Sequence, residues 1–288
     1  MALLDGKRIV VTGSTRGLGR GFAEALAAQG AAVVVNGTNA DLVTEVVDGI
    51  CASGGTAVGV DGSIADDAVA EELVRTCVDE HGGIDAVVNN AGIVRDRTLM
   101  NMSPEEFDDV VAVNLRGTWS VSRHAARAMK ETGGLLLQVI SGSAIVGSVG
   151  QTNYAASKAG VLGMMYAWDV ELKRYGIRVN ALWPIAQTDM TSVVFQGAAR
   201  RAEEAGRPAP DPAALGFGTP ETVAPVVVLL CSDRAAHLRS QLVTFNGRKL
   251  GLWSHPQERI VDRRSSWTID ELAVALDTAA EPVHVPEM

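Results

Sequence analysis

Two residues, Tyr154 and Lys158, have the types and the spacing needed to move a proton. Four positions apart in a predicted helix over 152–174, they lie on one face of that helix. A tyrosine has an ordinary pKa of about 10, and bringing it near 7 needs about 4 kcal/mol of stabilisation of the phenolate. An ammonium at about 4 Å, at an effective dielectric of about 20, supplies energy of that order. The pair is therefore a candidate acid–base couple, and the plainer alternative is a surface pair on a helix.

A glycine-rich segment, Thr12–Gly19, follows the first predicted strand and opens the first predicted helix. Gly13 permits a tight turn, Gly17 lets the main chain approach a pyrophosphate, and Gly19 lets the helix pack against the strand. The N-terminus of the helix then directs free N–H groups and a positive dipole end at the phosphates. The spacing GxxxGxG differs from the GxGxxG pattern of many dinucleotide sites, and a glycine-rich turn without a ligand is the alternative.

Further motifs occur in the order typical of one enzyme family. They are TGxxxGxG from Thr12, Asn89–Gly92 after the fourth predicted strand, Asn114 in the following helix, and Tyr154 with Lys158. Over about residues 5–250 the sequence resembles the short-chain dehydrogenases/reductases. The ordered set is more specific than any single motif. The resemblance implies an oxidoreductase that interconverts a secondary alcohol and a ketone with a nicotinamide cofactor.

The resemblance also implies the members of a catalytic set. The family serine normally lies thirteen residues before the tyrosine, which favours Ser141 over Ser143 as the group that orients the substrate oxygen. Asn114 is implied to hold a water that links the lysine to solvent, and a helix asparagine bonded to the main chain is the alternative. The implied catalytic residues are Asn114, Ser141, Tyr154 and Lys158.

The implied cofactor site draws on the ends of several strands. Asp61 matches the position that bonds the adenine amino group, and a turn aspartate fits the residue type equally well. Thr188 matches the position that bonds the nicotinamide carboxamide, although Ile185 stands where relatives often have glycine. The implied cofactor contacts are Tyr154 and Lys158 together with Gly13, Thr15, Arg16, Gly17, Leu18, Gly19, Thr38, Asp61, Gly62, Asn90, Ala91, Gly92 and Thr188.

The end of the second predicted strand favours NADP(H), while NAD(H) stays open. Enzymes that use NAD typically place an acidic side chain there to bond the ribose 2′-hydroxyl. This chain has no acid until Asp41, Gly37 leaves space, and Arg16 stands where relatives use a basic residue for the 2′-phosphate. On the other side, no second basic residue follows the strand, and an Arg16 side chain over the adenine would serve either cofactor.

A narrower resemblance indicates the substrate. Three segments, Asn90–Thr98, Ser141–Ser143 and Pro184–Ala186, are most similar to the dehydrogenase part of peroxisomal-type multifunctional enzymes. Those relatives oxidise 3-hydroxyacyl-CoA thioesters or 17β-hydroxysteroids, so a bulky apolar alcohol or ketone is expected. The run Arg95–Arg97 is either part of the substrate site or a solvated loop.

A function without catalysis is also compatible with this fold. Some proteins of this fold bind a dinucleotide without catalysis and act as sensors or scaffolds. Such proteins usually lose the tyrosine or the lysine, and this chain retains both Tyr154 and Lys158. Fold-related sugar epimerases also use the Tyr-x-x-x-Lys pattern, but they normally carry a different glycine spacing. Catalysis is therefore the favoured interpretation.

The elements that must position these residues are an alternation of short apolar runs and amphipathic helical stretches. That rhythm predicts an α/β, single-domain, Rossmann-type fold with a doubly wound parallel sheet of about seven strands. Such sheets bind ligands at the carboxyl ends of their strands, where the motifs fall. The strand candidates are Arg8–Thr12, Ala32–Asn36, Thr56–Val60, Ala86–Asn89, Leu135–Ile140, Arg178–Trp183 and Gln241–Phe245.

Two segments depart from the strand–helix rhythm. Residues 191–218 are predicted to form an active-site lid within a domain over 1–250. Arg200, Arg201 and Arg207 in that lid could meet the phosphates of a thioester carrier, and solvated helix charges are the alternative. Residues 251–288 are predicted to form a C-terminal extension with a short helix, because Thr268 and Glu271 have the spacing of a capping box.

Bulk properties narrow the partners to small molecules and further copies of the chain. The net charge of −9 argues against a nucleic-acid binder. No run reaches the about 18 apolar residues of a membrane span, and no secretory signal is visible, so a cytoplasmic location is expected. Three well-separated cysteines are predicted to be buried thiols, and the histidines lack metal-ligand spacing, so no metal is expected. Apolar helix positions that include Val161, Leu162, Met164 and Met165 predict a homo-tetramer or at least a dimer.

Overall fold

A single β-sheet organises the molecule. The computed structural model describes residues 2–204, 206–257, 260–262 and 264–279, and within them the sheet has eight strands. The strands are β1 (Arg8–Val11), β2 (Ala32–Gly37), β3 (Thr56–Asp61), β4 (Ala86–Asn89), β5 (Gly134–Val139), β6 (Ile177–Pro184), β7 (Leu242–Phe245) and β8 (Leu250–Trp253). Their order across the sheet is β3-β2-β1-β4-β5-β6-β7-β8.

The strands from β3 through β7 pair in parallel, as the strand–helix rhythm predicts. The eighth strand was outside the predicted seven. It has only four residues, and residues 246–249 connect it to β7. A connection that short cannot hold a crossover, so β8 returns antiparallel at the edge of the sheet. So short a strand gives little periodic signal, which is why its sequence alone did not predict it.

The helices lie on both faces of the sheet. They are α1 (Gly17–Ala28), α2 (Ala40–Ala52), α3 (Asp67–His81), α4 (Pro104–Val111), α5 (Thr118–Ala128), α6 (Ser143–Val146), α7 (Thr152–Leu172), α8 (Asp189–Glu204), α9 (Pro220–Cys231) and α10 (Ile269–Ala279). A π-helical turn over Ala112–Gly117 joins α4 to α5. In the described ranges, no helix is both long enough and apolar enough to cross a membrane.

Successive side chains of a strand point to opposite faces of the sheet, which explains why the core has two layers. Residues such as Val11, Val35 and Leu137 pack with α1, α2 and α9 on one face. Their neighbours point to the other face, which α3, α5 and α7 cover. Strands buried on both faces are near-continuous apolar runs, and this is the pattern of β1 and β5. The doubly wound α/β fold is therefore confirmed.

The crevice at the carboxyl ends of the strands lies between β1 and β4. From that point the chain winds outward through β2 and β3 on one side, and through β5, β6 and β7 on the other. The loops that follow β1 and β4 therefore leave the sheet in opposite directions and open a cleft. The Thr12–Gly19 segment and the Asn89–Gly92 segment both begin at this cleft.

The chain divides into two compact units, Met1–Leu252 and Trp253–Met288. The first holds the sheet from β1 to β7, and it includes the predicted lid, where the helix α8 is followed by a loop up to Gly218. The second holds α10, whose first turn carries the expected capping box: Thr268 N donates to Glu271 Oε2 at 2.8 Å, and Glu271 N donates to Thr268 Oγ1 at 3.3 Å. Residues 280–288 of the predicted extension lie outside the described residues.

One expectation about packing was wrong. Cys51 is exposed, while Cys77 and Cys231 are buried as predicted. Cys51 lies in the last turn of α2, where its Sγ donates to the carbonyl oxygen of Ala57 in β3 at 3.8 Å. Of the apolar positions on α7, Val161 and Met165 pack inside the core, whereas Leu162 and Met164 are partly exposed, and the predicted oligomer stays a prediction.

Candidate active site

One cleft at the carboxyl ends of the strands gathers most of the residues implied by the sequence. Two of those residues lie outside its lining: Asp61 is exposed at the end of β3, and Asn114 is buried beneath the cleft. The predicted residues that line it are Gly13, Thr15, Arg16, Gly17, Leu18, Gly19, Thr38, Gly62, Asn90, Ala91, Gly92, Ser141, Tyr154, Lys158 and Thr188. Asn36, Gly37, Ser63, Ile64 and Ile93 line it as well, without having been predicted.

The glycine-rich segment is shaped by close contact with the loop after β4. Gly13 has a φ of +61°, and a side chain there would begin 2.7 Å from the Cα of Ala91. A side chain at Gly19 would overlap the carbonyl oxygen of Gly13 and the amide of Asn90. These positions therefore require glycine, because main chain occupies the space that a Cβ needs.

A hydrogen-bonded support under the glycine-rich segment comes from Thr12 and Asn90. Thr12 Oγ1 accepts from the main-chain N–H groups of Asn90 and Ala91, each at 3.0 Å. Asn90 Nδ2 donates to the carbonyl oxygens of Thr12 at 3.1 Å and Gly13 at 2.9 Å. The two loops on either side of the crevice are thus fixed to each other. Thr12 belongs to the TGxxxGxG motif, but its supporting role was not predicted.

Asn36 is a second support that the sequence analysis missed. Its side chain is 2% exposed at the end of β2. Its Oδ1 accepts from Gly13 N at 3.2 Å, and its Nδ2 donates to the carbonyl oxygens of Val60 at 3.1 Å and Gly62 at 3.2 Å. It therefore ties together the ends of three adjacent strands. The available signal was a single amide residue at the end of the apolar run of β2.

The end of β2 leaves no room for a side chain at position 37. A Cβ on Gly37 would overlap the methyl group of Thr15. Arg16 stands next to it as the N-cap residue of α1, exposed and without a side-chain capping bond. The surface of the cleft at this point is therefore formed by Thr15, Gly37 and the guanidinium of Arg16. None of these three residues carries a carboxylate.

Tyr154 and Lys158 lie in the first two turns of α7. Lys158 is 3% exposed, and its Nζ donates to the carbonyl oxygen of Val139 at 2.9 Å. The same Nζ lies 5.8 Å from the centre of the Tyr154 ring. Burial lowers the pKa of Lys158 to about 8. The arrangement brings an ammonium and a phenol to one wall of the cleft, as the i,i+4 spacing predicts.

The predicted fall in the pKa of Tyr154 toward 7 stays a prediction, and burial acts in the opposite direction. Burial raises the pKa of Tyr154 to about 12, a hydrogen bond with Ser141 lowers it, and the charge of Asp96 raises it further. The Lys158 ammonium donates to the carbonyl oxygen of Val139, and burial disfavours its own charge. The protein groups around the phenol therefore favour its protonated form.

The two candidate serines occupy different places. Ser141 follows β5 and lines the cleft, while Ser143 is 8% exposed at the start of α6. Ser143 Oγ donates to Ser141 Oγ at 3.2 Å, so it supports the first hydroxyl from behind. Ser141 also lies near enough to Tyr154 to lower the pKa of its phenol. The geometry favours Ser141 as the group nearer to a substrate oxygen.

Asn114 lies within the π-helical turn and is completely buried. Its Oδ1 accepts from Ile93 N at 2.8 Å, and its Nδ2 donates to Ile93 O at 3.0 Å and to Ser157 Oγ at 3.3 Å. A Cβ on Gly92 would lie 3.3 Å from Asn114 Oδ1 and 3.5 Å from Lys158 Nζ. The side chain thus bonds the main chain of a distant loop close to Lys158. Propensity does not predict π-helical turns, which are frequent at functional sites.

The far side of the cleft is closed by the segment after β6. The nearest heavy atom to a Cβ placed on Gly17 is Thr188 Cγ2, at 3.8 Å. The main-chain N–H of Thr188 donates to Thr191 Oγ1 at 2.8 Å in the first turn of α8. Ile185 N donates to Phe245 O at 2.9 Å, which fixes this segment to β7 despite the absence of the expected glycine.

The two arginines of the loop after β4 have acidic partners. Arg95 Nε lies 3.7 Å from Asp109 Oδ2, and Arg97 Nε lies 3.2 Å from Glu106 Oε1, so both face α4. These partners favour the solvated-loop interpretation of the run Arg95–Arg97. Arg200 and Arg207 of the predicted lid are exposed, and the side chain of Arg201 lies outside the described residues.

Comparison with known proteins agrees with this geometry. The family model for the short chain dehydrogenases matches residues 7–199. The hydroxyacyl-CoA dehydrogenase ChsB1 of Mycobacterium tuberculosis is 41% identical over 289 residues, covering 95% of this chain and 88% of that protein. The 3-oxoacyl-acyl-carrier-protein reductase FabG of Aquifex aeolicus is 37% identical over 252 residues, covering 85% of this chain and 97% of that protein.

The names of other relatives give a different substrate or do not mention one. An L-rhamnose 1-dehydrogenase of Azotobacter vinelandii is 36% identical over 255 residues, covering 86% of this chain and 97% of that protein. The crystal structure of a short chain dehydrogenase from Mycobacterium avium superposes with a TM-score of 0.80 at 35% identity and covers 98% of both chains. This chain belongs to the short chain dehydrogenase family. It is an oxidoreductase that acts on alcohol and ketone groups, and the predicted family and enzyme class are confirmed.

Proposed function

We propose that this protein interconverts a 3-hydroxyacyl thioester and the corresponding 3-oxoacyl thioester, with NADP(H) as the favoured cofactor. The observation that carries the proposal is one cleft in which Ser141, Tyr154 and Lys158 face a glycine-rich loop. Two of the relatives described above are named for acyl thioester substrates, one linked to CoA and one to acyl carrier protein. The same crevice holds the closely packed glycines, the N-terminus of α1 and the phenol of Tyr154.

The cofactor half of the cleft fits a dinucleotide. Gly13 and Gly19 carry no side chains, so the loop forms a surface of main chain at the N-terminus of α1. We call this surface the cradle. Unpaired N–H groups at a helix N-terminus favour a pyrophosphate. Gly17 and Thr188 would hold the two ends of the cradle together, as they are neighbours across the cleft. The nicotinamide group, when bound, supplies or accepts the hydride.

NADP(H) is favoured because of the end of β2. An acidic side chain at position 37 would bond a ribose 2′-hydroxyl and repel a 2′-phosphate. Here Thr15 fills the space beside Gly37, and the exposed Arg16 is free to meet a phosphate. A charge-assisted contact between a guanidinium and a phosphate contributes about 1.5–3 kcal/mol.

The protein's own residues would handle the substrate oxygen and its proton. In reduction, Tyr154 donates its hydroxyl proton to the carbonyl oxygen, and its raised pKa keeps that proton available at neutral pH. Ser141 donates a hydrogen bond to the same oxygen and stabilises the charge that develops there. In oxidation the steps reverse, and Tyr154 accepts the alcohol proton. The Lys158 ammonium then stabilises the phenolate on the same wall.

The surroundings of the cleft support a bulky apolar substrate. Met100 is 93% exposed and Val149 is 92% exposed. The segments that carry them meet where Arg97 N donates to Gly150 O at 2.8 Å. Exposed apolar side chains on these two joined segments are suited to contact with an acyl chain rather than with a sugar. We also propose a homo-oligomer, supported by the exposed Trp119 on α5 and Val170 on α7.

A substrate and cofactor panel tests the proposal. The purified protein is assayed with short and long 3-hydroxyacyl-CoA thioesters, a 17β-hydroxysteroid and L-rhamnose, each with NAD⁺ and with NADP⁺. We expect the highest kcat/KM for a hydroxyacyl-CoA with NADP⁺, at least about tenfold above that for L-rhamnose. Good turnover of L-rhamnose with none of any hydroxyacyl-CoA or steroid would overturn the substrate assignment. Higher kcat/KM with NAD⁺ would overturn the cofactor assignment.

A further inference from the structure

Asn153, the residue immediately before Tyr154, is completely buried and makes three hydrogen bonds through its side chain. Its Nδ2 donates to the carbonyl oxygens of Arg95 at 3.0 Å and Glu106 at 2.9 Å. Its Oδ1 accepts from the main-chain N–H of Tyr154 at 2.7 Å. A single buried amide thus joins the loop after β4, the first turn of α4 and the residue that carries the phenol.

The loop that Asn153 contacts is also fixed at other points. We call residues 93–97 the strap, because they cross from the π-helical turn to the start of α7. Asn114 makes two hydrogen bonds to Ile93 at one end of the strap. At the other end, Arg97 N donates to Gly150 O at 2.8 Å, and Gln151 Nε2 donates to Asp96 Oδ2 at 3.2 Å. The strap therefore bridges two segments that carry proposed catalytic residues.

We propose that Asn153 is a positioning residue for the reaction, which fixes the phenol of Tyr154 relative to the strap. The proposal rests on the proposed role of Tyr154 in proton transfer. Removing the amide would leave the carbonyl oxygens of Arg95 and Glu106 without these donors in a buried place. The start of α7 and the strap would then move apart. Displacing a reacting group by about 1 Å costs about a hundredfold in rate, even when the group itself is intact.

The chain offers a matched control in Asn180, another completely buried asparagine. Its Nδ2 donates to Leu238 O at 2.9 Å, and its Oδ1 accepts from Gln241 N at 2.9 Å. It therefore joins β6 to the loop before β7, away from the cleft lining. Replacing either asparagine with alanine removes a buried amide that links distant segments, so both changes should lower the melting temperature. Only the loss at Asn153 should disturb the phenol.

The test compares Asn153→Ala, Asn153→Asp, Asn180→Ala and Tyr154→Phe, with a 3-oxoacyl-CoA and NADPH. Asn153→Asp keeps the acceptor for Tyr154 N but turns a carboxylate oxygen toward two carbonyl oxygens. For both Asn153 variants we expect kcat to fall about 10- to 100-fold, with the cofactor Kd and its binding stoichiometry unchanged within about twofold. The solvent deuterium isotope effect on kcat should rise, because proton transfer becomes slower. For Asn180→Ala we expect a lower melting temperature and a kcat within about twofold of wild type.

The outcomes separate this inference from the proposed function. If kcat of the Asn153 variants stays within about twofold of wild type, or falls no further than in Asn180→Ala, the positioning role is wrong. An unchanged isotope effect with a lower kcat would also overturn it. If Tyr154→Phe itself keeps wild-type turnover, the proposed function fails, whatever the Asn153 variants do. If Asn153→Ala does not fold, the near-isosteric Asn153→Asp decides the question.

Discussion

The two walls of the cleft are built by different means. On the cofactor wall, main chain forms much of the surface, and the side chains of the buried Asn36 and the half-buried Asn90 fix that main chain by hydrogen bonds. On the opposite wall, the side chains of Ser141, Tyr154 and Lys158 form the surface, and they come from two separate segments. The shape of the cofactor wall depends on positions that have no side chain. The shape of the opposite wall depends on how the two segments that carry its side chains are positioned. Substitutions should therefore damage binding on the first wall and turnover on the second.

The largest effect on cofactor binding is expected from Gly19→Ala. The new Cβ would overlap the Gly13 carbonyl oxygen and the Asn90 amide, so the loop must shift. We expect the cofactor Kd to rise about 5- to 150-fold, because overpacking of this kind costs about 1–3 kcal/mol. Fluorescence titration with NADPH measures this. In the control, Gly163→Ala on α7, the Cβ meets open space, so the Kd should not change.

The same control sharpens the comparison through stability. Gly163 is an exposed position inside a helix, where alanine is favoured over glycine by about 0.5–1 kcal/mol. Gly163→Ala should therefore raise the free energy of unfolding, while Gly19→Ala lowers it. Urea unfolding of both variants checks the signs. Unchanged cofactor binding in Gly19→Ala would show that main-chain contact does not shape the cofactor wall.

On the opposite wall, Ser141→Ala should lower turnover more than Ser143→Ala. Ser141 lines the cleft and lies near Tyr154, whereas Ser143 lies behind it. We expect kcat to fall about 10- to 100-fold in the first variant and by no more than about threefold in the second. Steady-state kinetics at saturating cofactor gives both values. A greater loss in Ser143→Ala would reverse the assignment of the two serines.

The smallest effect is expected from Arg16→Ala. The exposed guanidinium at the start of α1 is available to a 2′-phosphate, and an exposed contact contributes less than a buried one. We expect the ratio of kcat/KM for NADPH over NADH to fall about tenfold, with kcat/KM for NADH nearly constant. Measuring both cofactors with one substrate gives the ratio. A ratio that does not change in Arg16→Ala would show that Arg16 does not read the phosphate.

Much of the cofactor wall could be predicted because glycine spacing carries its geometry. Gly13 and Gly19 are required wherever main chain packs against main chain, and their order within one segment is visible in the sequence. Thr12 and Asn36 were missed because a supporting side chain is defined by partners on other strands. A sequence shows residue types, but it does not show which distant carbonyl groups those residues will meet.

The opposite wall was predicted less completely for the same reason. The i,i+4 spacing placed Tyr154 and Lys158 together, but the pKa of Tyr154 also depends on its burial and on the neighbours Ser141 and Asp96. Both are tertiary properties. The π-helical turn around Asn114 and the short edge strand β8 were also not predicted, because neither has a distinct periodic pattern. The lid role of residues 191–218 stays a prediction.

The central claim is that one wall binds the cofactor and the other moves the proton. The most direct test measures cofactor binding and turnover together in Tyr154→Phe, which removes only the phenolic oxygen. We predict that kcat for a 3-oxoacyl-CoA falls by about 10²- to 10⁴-fold while the Kd for NADPH stays within about threefold of wild type. Turnover close to wild type would contradict the claim, and so would a loss of NADPH binding as large as the loss of turnover.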